Sequence, residues 1–343
     1  MTEVTGLRTV EMMNIREEKE KREESYLSPY AQLSARSRGR ALPEEECTVR
    51  TCFERDRDRI LYCKAFRRLK HKTQVFIFPE SDHLQTRLTH TLEVSQIARS
   101  ISKALDLNEI LAEAIALGHD LGHTPFGHSG ESVLNSLYPG GFEHNVQSLR
   151  VVDVLENGGK GLNLTWEVRD GILNHSTGWT ASTLEGKITN ISDKIAYINH
   201  DMEDALSMGI LREEDFPGEY ISVLGKTNSE RINTMISDVI IASRGTGDIK
   251  KSPKVSEATD GMRRFLFERL YVGSEAKKEE EKAKNVIKSL YDYFTGHPDR
   301  MPREYLERGE EDMARSVCDY IAGMTDNFAT ELYRDLFVPK SWY

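Results

Sequence analysis

The sequence is poor in cysteine. Its 343 residues hold four, Cys47, Cys52, Cys63 and Cys318. None forms a Cys-x-x-Cys pair, which argues against a zinc knuckle; free thiols in a reducing cytoplasm are expected. No apolar run approaches the roughly 20 residues that a membrane helix needs, so no membrane association is expected. The N-terminus is polar and charged and gives no sign of a secretory signal. The Asn-x-Ser/Thr matches at Asn163, Asn174 and Asn190 are therefore read as coincidental. A Gly-x-x-x-x-Gly-Lys-Ser/Thr loop is absent, as is a Gly-x-Ser-x-Gly elbow, which sets aside P-loop and serine-hydrolase chemistry. Arg244-Gly245-Thr246-Gly247 is too short for a phosphate loop. Basic charge is outweighed: the formal net charge is −10, which disfavours a broad electrostatic grip on DNA but leaves room for a local basic groove. Strand signals are few, the best being Gln74–Phe78, and no internal repeat is visible. An all-α fold follows.

What is present is helical periodicity. Residues 1–25 are rich in Glu, Lys and Arg and read as a solvated arm or an exposed helix. Residues 50–72 interleave Arg50, Arg55, Arg57, Arg59, Arg67, Arg68, Lys70 and Lys72 with Phe53, Ile60, Leu61, Phe66 and Leu69. That pattern suits an amphipathic helix whose basic face is either merely solvated or contacts a nucleotide or phosphate. Over residues 86–106, His90, Val94, Ile97 and Ile101 recur at helical spacing, with His90 at the edge of the buried face. Residues 109–120 predict a second helix with Leu111, Ile115 and His119 on one side, stopped near Gly122. Over residues 187–208, Ile188, Ile191, Ile195, Ile198, Met202 and Leu206 form an apolar stripe. Asn190, Asp193, Tyr197 and Asp201 lie opposite, within an arc of roughly 80°. Residues 243–261 are rich in Gly, Ser, Lys and Asp and are expected to be a loop or linker; helical patterns return over 262–295 and 310–337.

The chemistry concentrates in His119-Asp120-Leu121-Gly122-His123. Four of the ten histidines, His119, His123, His128 and His144, fall in this short stretch, more imidazole than core packing calls for. His90 and Asp193 sit on separate helices. Two imidazoles and two carboxylates suit a divalent ion, and such an ion offsets the cost of burying a carboxylate. His175 either lines the same pocket or lies on the surface.

The order His, His-Asp, Asp resembles the HD-domain phosphohydrolases. The stretch from His119 through Thr124-Pro125-Phe126-Gly127-His128 to Glu131 resembles the deoxyguanosine triphosphate triphosphohydrolase family in particular. So do Thr86–Val94, Phe66–Val75, Gly141–Asn145, Asp193–Asp201 and Asp319–Asp326, a coverage of roughly residues 25–337. The resemblance implies an HD-type helical fold: a catalytic core over 26–242 and a further helical region over 262–343 packed on it. It implies His90, His119, Asp120 and Asp193 as ligands of a divalent metal (Mg, Mn or another transition metal). It implies His128 and Glu131 as the catalytic pair. Arg87, His123, His144 and Lys194 are then placed near the phosphates, and Gln74, Tyr197 and Asp201 near the deoxyribose. The implied reaction turns a deoxynucleoside triphosphate, dGTP first, into deoxynucleoside and inorganic tripolyphosphate. The resemblance also implies a homo-oligomer, with a second nucleotide or single-stranded DNA as regulator. Other classes remain open: a nucleotidase or phosphodiesterase of the same superfamily, or a non-catalytic nucleotide or single-strand binding module.

Overall fold

The computed structural model describes residues 14–74, 85–271, 276–308 and 312–340. Among these there is no β-strand, only isolated bridges pairing Arg40 with Thr165 and Thr73 with Thr86. The chain begins with α1 (Ile15–Tyr26), α2 (Cys52–Tyr62) and α3 (Lys64–Arg68). It continues with α4 (Arg87–Ala104), α5 (Glu109–Gly118), α6 (Gly127–Leu137), α7 (His144–Arg150), the short distorted α8 (Glu156–Gly159) and α9 (Trp166–Leu173). Then come α10 (Leu184–Ser207), α11 (Gly218–Leu224), α12 (Asn228–Ser243) and α13 (Pro253–Leu266). The C-terminal helices are α14 (Ala276–Gly296), α15 (Arg303–Arg308), α16 (Met313–Ala322) and α17 (Asp326–Phe337).

The apolar stripes meet as their spacing predicts. Val94, Ile97 and Ile101 of α4 pack with Ile188, Ile195, Ile198 and Met202 of α10. Leu111 and Ile115 of α5 bury against Phe53 and Ile60 of α2 and Val168 and Ile172 of α9. A third cluster joins Phe126 and Leu134 to Ile287, Leu290 and Phe294 of α14 and to Val317 and Ile321 of α16. The C-terminal helices thus pack directly beneath the helix that carries His128. Asp319 of α16 reinforces this by accepting from Arg150 Nε at 2.8 and 2.9 Å and from Gln147 Nε2 at 3.0 Å.

Two expectations need adjustment. The 243–261 stretch is not a linker throughout: α13 starts at Pro253, with Ser252 as N-cap and Val255, Ala258 and Met262 buried. Proline at the first helical position is a start signal, because its missing N–H has no partner there anyway. The basic 50–72 stretch is two helices, since the chain turns at Cys63, whose thiol caps α3 by accepting the Phe66 N–H. Much of its charge is tied up in ion pairs, Arg50 with Asp58, Arg57 with Glu113 and Arg59 with Glu44. The strand expected at Gln74–Phe78 lies, Gln74 apart, outside the described residues. The N-terminal arm, where described, is a helix with no buried residue, the second of its expected forms.

Candidate active site

Two helix ends build the candidate metal centre. Thr86 caps α4, its hydroxyl accepting the Thr89 N–H, a cap worth about 1 kcal/mol. The cap fixes the first turn, which carries Arg87 and His90, both buried. His119 closes α5, and the chain turns through Asp120 to His123. That turn is held by Ser148 of α7, whose hydroxyl donates to the His119 carbonyl at 2.6 Å and accepts the Gly122 N–H at 2.9 Å. A side chain at Gly122 would sit 2.1 Å from the Ser148 nitrogen, so glycine is what lets the turn approach α7.

The four expected ligands converge. His90 Nε2 lies 3.1 Å from Asp193 Oδ1 and 3.9 Å from Asp120 Oδ2. His119 Nε2 lies 3.4 Å from Asp120 Oδ1 and 3.9 Å from Asp193 Oδ1. His119 Nδ1 donates to the Ala116 carbonyl at 2.6 Å, which fixes the tautomer and leaves Nε2 as a lone pair. That Nε2 is buried without a hydrogen-bond partner. An orphaned imidazole nitrogen facing two carboxylates fits a divalent cation. His90, His119 and Asp120 are nearly inaccessible, whereas the Asp193 side chain is 26% exposed, so the centre opens on that side. Burial opposes charge on Asp120, but His119, His123 and Arg87 hold its carboxyl well below the usual range. Burial likewise opposes charge on Asp193, but the His90 hydrogen bond and the charges of His90 and His119 together hold its carboxyl below the usual range.

The remaining expected residues surround this centre. Arg87 donates from Nη1 to Asp120 Oδ2 at 2.8 Å. The residue before His128, Gly127, has φ +55°, and a Cβ there would meet the Arg87 guanidinium at 2.8 Å. His128 and His144 both pair with Glu131, Nδ1 to carboxylate oxygen at 2.9 Å in each case. The His144 N–H adds a 2.7 Å bond to Glu131. Burial opposes the Glu131 charge, but the two imidazoles pull its carboxyl far below the ordinary value. Burial disfavours a charged His144, yet Glu131 raises it above the ordinary imidazole value. His123 stacks on His144 with ring centroids 4.1 Å apart, and burial keeps it neutral, well below the usual value. Lys194 donates to Asn190 Oδ1 at 2.9 Å. Tyr197 is half-buried and Asp201 buried on the same face of α10. The Gln74 side-chain oxygen is buried without a hydrogen-bond partner.

The sequence left His175 between pocket and surface and passed over His200, Lys251, Asp260 and Arg263. His175 is buried, not on the surface; it lies 3.2 Å from His144 Nε2, its ring centroid 5.0 Å from that of His119, and burial lowers it to about 3. His200 packs edge-on against His90, centroids 5.0 Å apart. Lys251 and α13 residues Asp260 and Arg263 are close enough for their charges to act on Lys194. Lys251 and Asp260 come from the stretch expected to be a loop or linker, where the one available signal was the Ser252-Pro253 helix start; Arg263 falls just after it, where a helix was expected.

Comparison with known proteins settles the lineage. Residues 87–198 match the family model described as HD domain, and residues 249–335 match the phosphohydrolase-associated domain. A deoxyguanosinetriphosphate triphosphohydrolase-like protein of Caldanaerobacter subterraneus is 59% identical over 332 residues, covering 96% of this chain and 98% of that one. A protein of the same name from Desulfatibacillum aliphaticivorans is 47% identical, covering 95% and 99%. The chain belongs to the deoxyguanosinetriphosphate triphosphohydrolase-like family of HD-domain proteins. It is thus a hydrolase of the HD phosphohydrolase class, all-α with extra C-terminal helices. A crystallised phosphohydrolase of Bacteroides thetaiotaomicron shares the fold at 15% identity, with a TM-score of 0.52 over 82% of this chain and 69% of that one. Among the described residues no helix is long and apolar enough to cross a membrane, and all four cysteines are free.

Proposed function

We propose that the protein is a metal-dependent deoxynucleoside triphosphate triphosphohydrolase that releases deoxynucleoside and inorganic tripolyphosphate, with dGTP as first substrate. The observation that carries this reading is the contiguity of a buried His-His-Asp-Asp centre with an accessible His128–Glu131 pair. One ring nitrogen each of His144 and His175 lies within 4.8 Å of an Asp120 carboxylate oxygen, so the two halves form one pocket. His90, His119, Asp120 and Asp193 would hold the divalent ion, which supplies Lewis acidity and charge neutralisation at the α-phosphate.

The residues around it divide the remaining work. Lys194, next to Asp193, with the charges of Arg263 and Lys251 acting on it, would offer positive charge suited to a chain of phosphates. Arg87 keeps Asp120 ionised and oriented. His128, 71% exposed, is free to reach a substrate atom while Glu131 orients its ring through Nδ1. Its Nε2 then serves to move a proton to or from the oxygen at the scissile bond. The deoxyribose is assigned to the face of Tyr197 and Asp201, with Gln74 on its 3′ side.

The same reading places the protein in the cytoplasm as a homo-oligomer regulated by a second nucleotide or single-stranded DNA. A cavity of about 640 Å³ is lined by Arg59, Lys64, Arg67, Arg68 and Lys160 together with Glu44, Glu156, Glu304 and Asp319, a mixed lining that does not by itself mark the regulator's site. The test is incubation of the purified protein with each dNTP and Mg²⁺ or Mn²⁺, followed by separation of products. Tripolyphosphate with free deoxynucleoside supports the reading; orthophosphate or a monophosphate points to a nucleotidase or phosphodiesterase.

A further inference from the structure

One buried carboxylate from the C-terminal helices reaches the catalytic turn. Asp326, the first residue of α17, is 3% exposed. Its Oδ1 accepts the Phe126 N–H at 3.0 Å, and its Oδ2 accepts the N–H and hydroxyl of Thr73 at 2.9 and 2.6 Å. Three donors on one carboxylate offset its desolvation. Both recipients adjoin site residues. Phe126 has φ +61°, a left-handed conformation that a bulky side chain adopts only when its surroundings enforce it. It is followed by Gly127 and then His128. Thr73 precedes Gln74 and bridges Thr86, the cap of the helix that starts with Arg87.

A second link runs in parallel. Lys72 is fully buried, and its ammonium group donates to the His123 carbonyl and, at 2.8 Å, to the Ala322 carbonyl at the end of α16. Its backbone carbonyl accepts the Arg87 N–H at 3.1 Å. The segment 322–326 therefore holds the His123–His128 turn at both ends, through Lys72 at His123 and through Asp326 at Phe126.

We propose that Asp326 is a positioning residue for the reaction: by holding the left-handed Phe126 turn on a carboxylate that Thr73 also anchors, it sets His128 in register with the metal centre. The positioning of His128 in catalysis rests on the function proposed above, while the placement of its ring does not.

The test is Asp326→Asn, which exposes Phe126 or Thr73 to an amide donor in place of an acceptor. We expect dGTP turnover (kcat) to fall about 10- to 100-fold with bound metal unchanged. In a His128→Ala background the same substitution should cost less than about twofold, because residues acting through one step are non-additive. In ¹³C-histidine spectra of the full chain, the His128 resonance, identified by its loss in His128→Ala, should shift. If Asp326→Asn fails to fold, Thr73→Val removes only the hydroxyl donor and should shift the same resonance with a few-fold loss of kcat. An unmoved His128 resonance, or a full multiplicative loss in the His128→Ala background, overturns the proposal. A wild type without dNTP hydrolysis overturns the function instead, and the resonance still decides whether Asp326 places His128.

Discussion

The candidate metal centre takes His119 and Asp120 from the stretch that leads into the candidate catalytic pair, yet the two are opposite environments. His90, His119 and Asp120 are 0–5% exposed in their side chains, locked between helix ends. His128 is 71% exposed, on a helix entered through the left-handed Phe126 and Gly127. The contrast follows from the chemistry. A divalent ion is retained by ligands whose desolvation is already paid by the fold, whereas a group that moves a proton must reach substrate that comes and goes. Glu131 is the joint between them, with one oxygen for His128 and the other for half-buried His144.

The comparison breaks most plainly at the metal. Asp120→Asn or His119→Ala should abolish metal binding and hydrolysis together, because each removes a ligand at the point where the others converge. Metal content of the purified variants measures this; a variant that keeps stoichiometric metal and wild-type turnover would remove the assignment. Asp120→Ala should in addition destabilise the fold by about 3–5 kcal/mol, since it strands the buried Arg87 guanidinium, readable as a fall in Tm.

His128→Ala sharpens the contrast from the other side. An exposed imidazole holds little of the fold, so stability and metal content should remain, while kcat falls by about 10²–10⁴. Separate measurement of substrate affinity is decisive here: if binding collapses and turnover of the bound complex holds, His128 is a binding residue.

How far the sequence reveals each half follows from the range of the contacts involved. Short-range patterns were legible: helical spacing placed His90, His119 and Asp193 on α4, α5 and α10, and three-residue spacing put His128 and Glu131 on one face of α6. Those patterns need only local geometry. What escaped was tertiary. His175 could be placed neither inside nor outside the pocket, because its burial depends on α9 meeting α5. The start of α13 was too polar to betray a helix, and Lys251 before it with Asp260 and Arg263 on it matter only because the chain folds back on α10. The link from Asp326 to Phe126 has no local signature.

A smaller effect is expected at the sugar. Tyr197 and Asp201 share a face of α10 with Asp193, and a ring set against the 2′ carbon excludes an extra hydroxyl by size. The discrimination between dGTP and GTP is expected to be tenfold to a hundredfold, about 1–3 kcal/mol. Tyr197→Ala should narrow it by admitting GTP, and Asp201→Ala should weaken all deoxynucleotides alike. Ratios of kcat/KM on wild type and both variants give the answer, and equal use of GTP and dGTP by the wild type favours a broader nucleotidase.

The smallest effect concerns the joint itself and is read in the metal-free protein. Glu131 is held below its ordinary value of 4.5, so its share of stability is complete above about pH 4.5 and is lost as pH falls through its depressed folded value. His144 is raised above its ordinary 6.5; its share is complete below about pH 6.5 and is lost as pH rises through the raised folded value. Both charges are therefore in place between those limits. In that window Glu131→Gln should cost about 1–3 kcal/mol, the worth of a hydrogen bond to a charged group. The cost should shrink toward strong acid, where Glu131 is protonated, and toward alkaline pH, where His144 is neutral. Urea unfolding midpoints of wild type and variant across the pH range supply the measurement. A difference that does not vary with pH would mean that Glu131 serves the fold as a neutral hydrogen-bond acceptor, and the ion pair linking the buried and exposed halves would be lost with it.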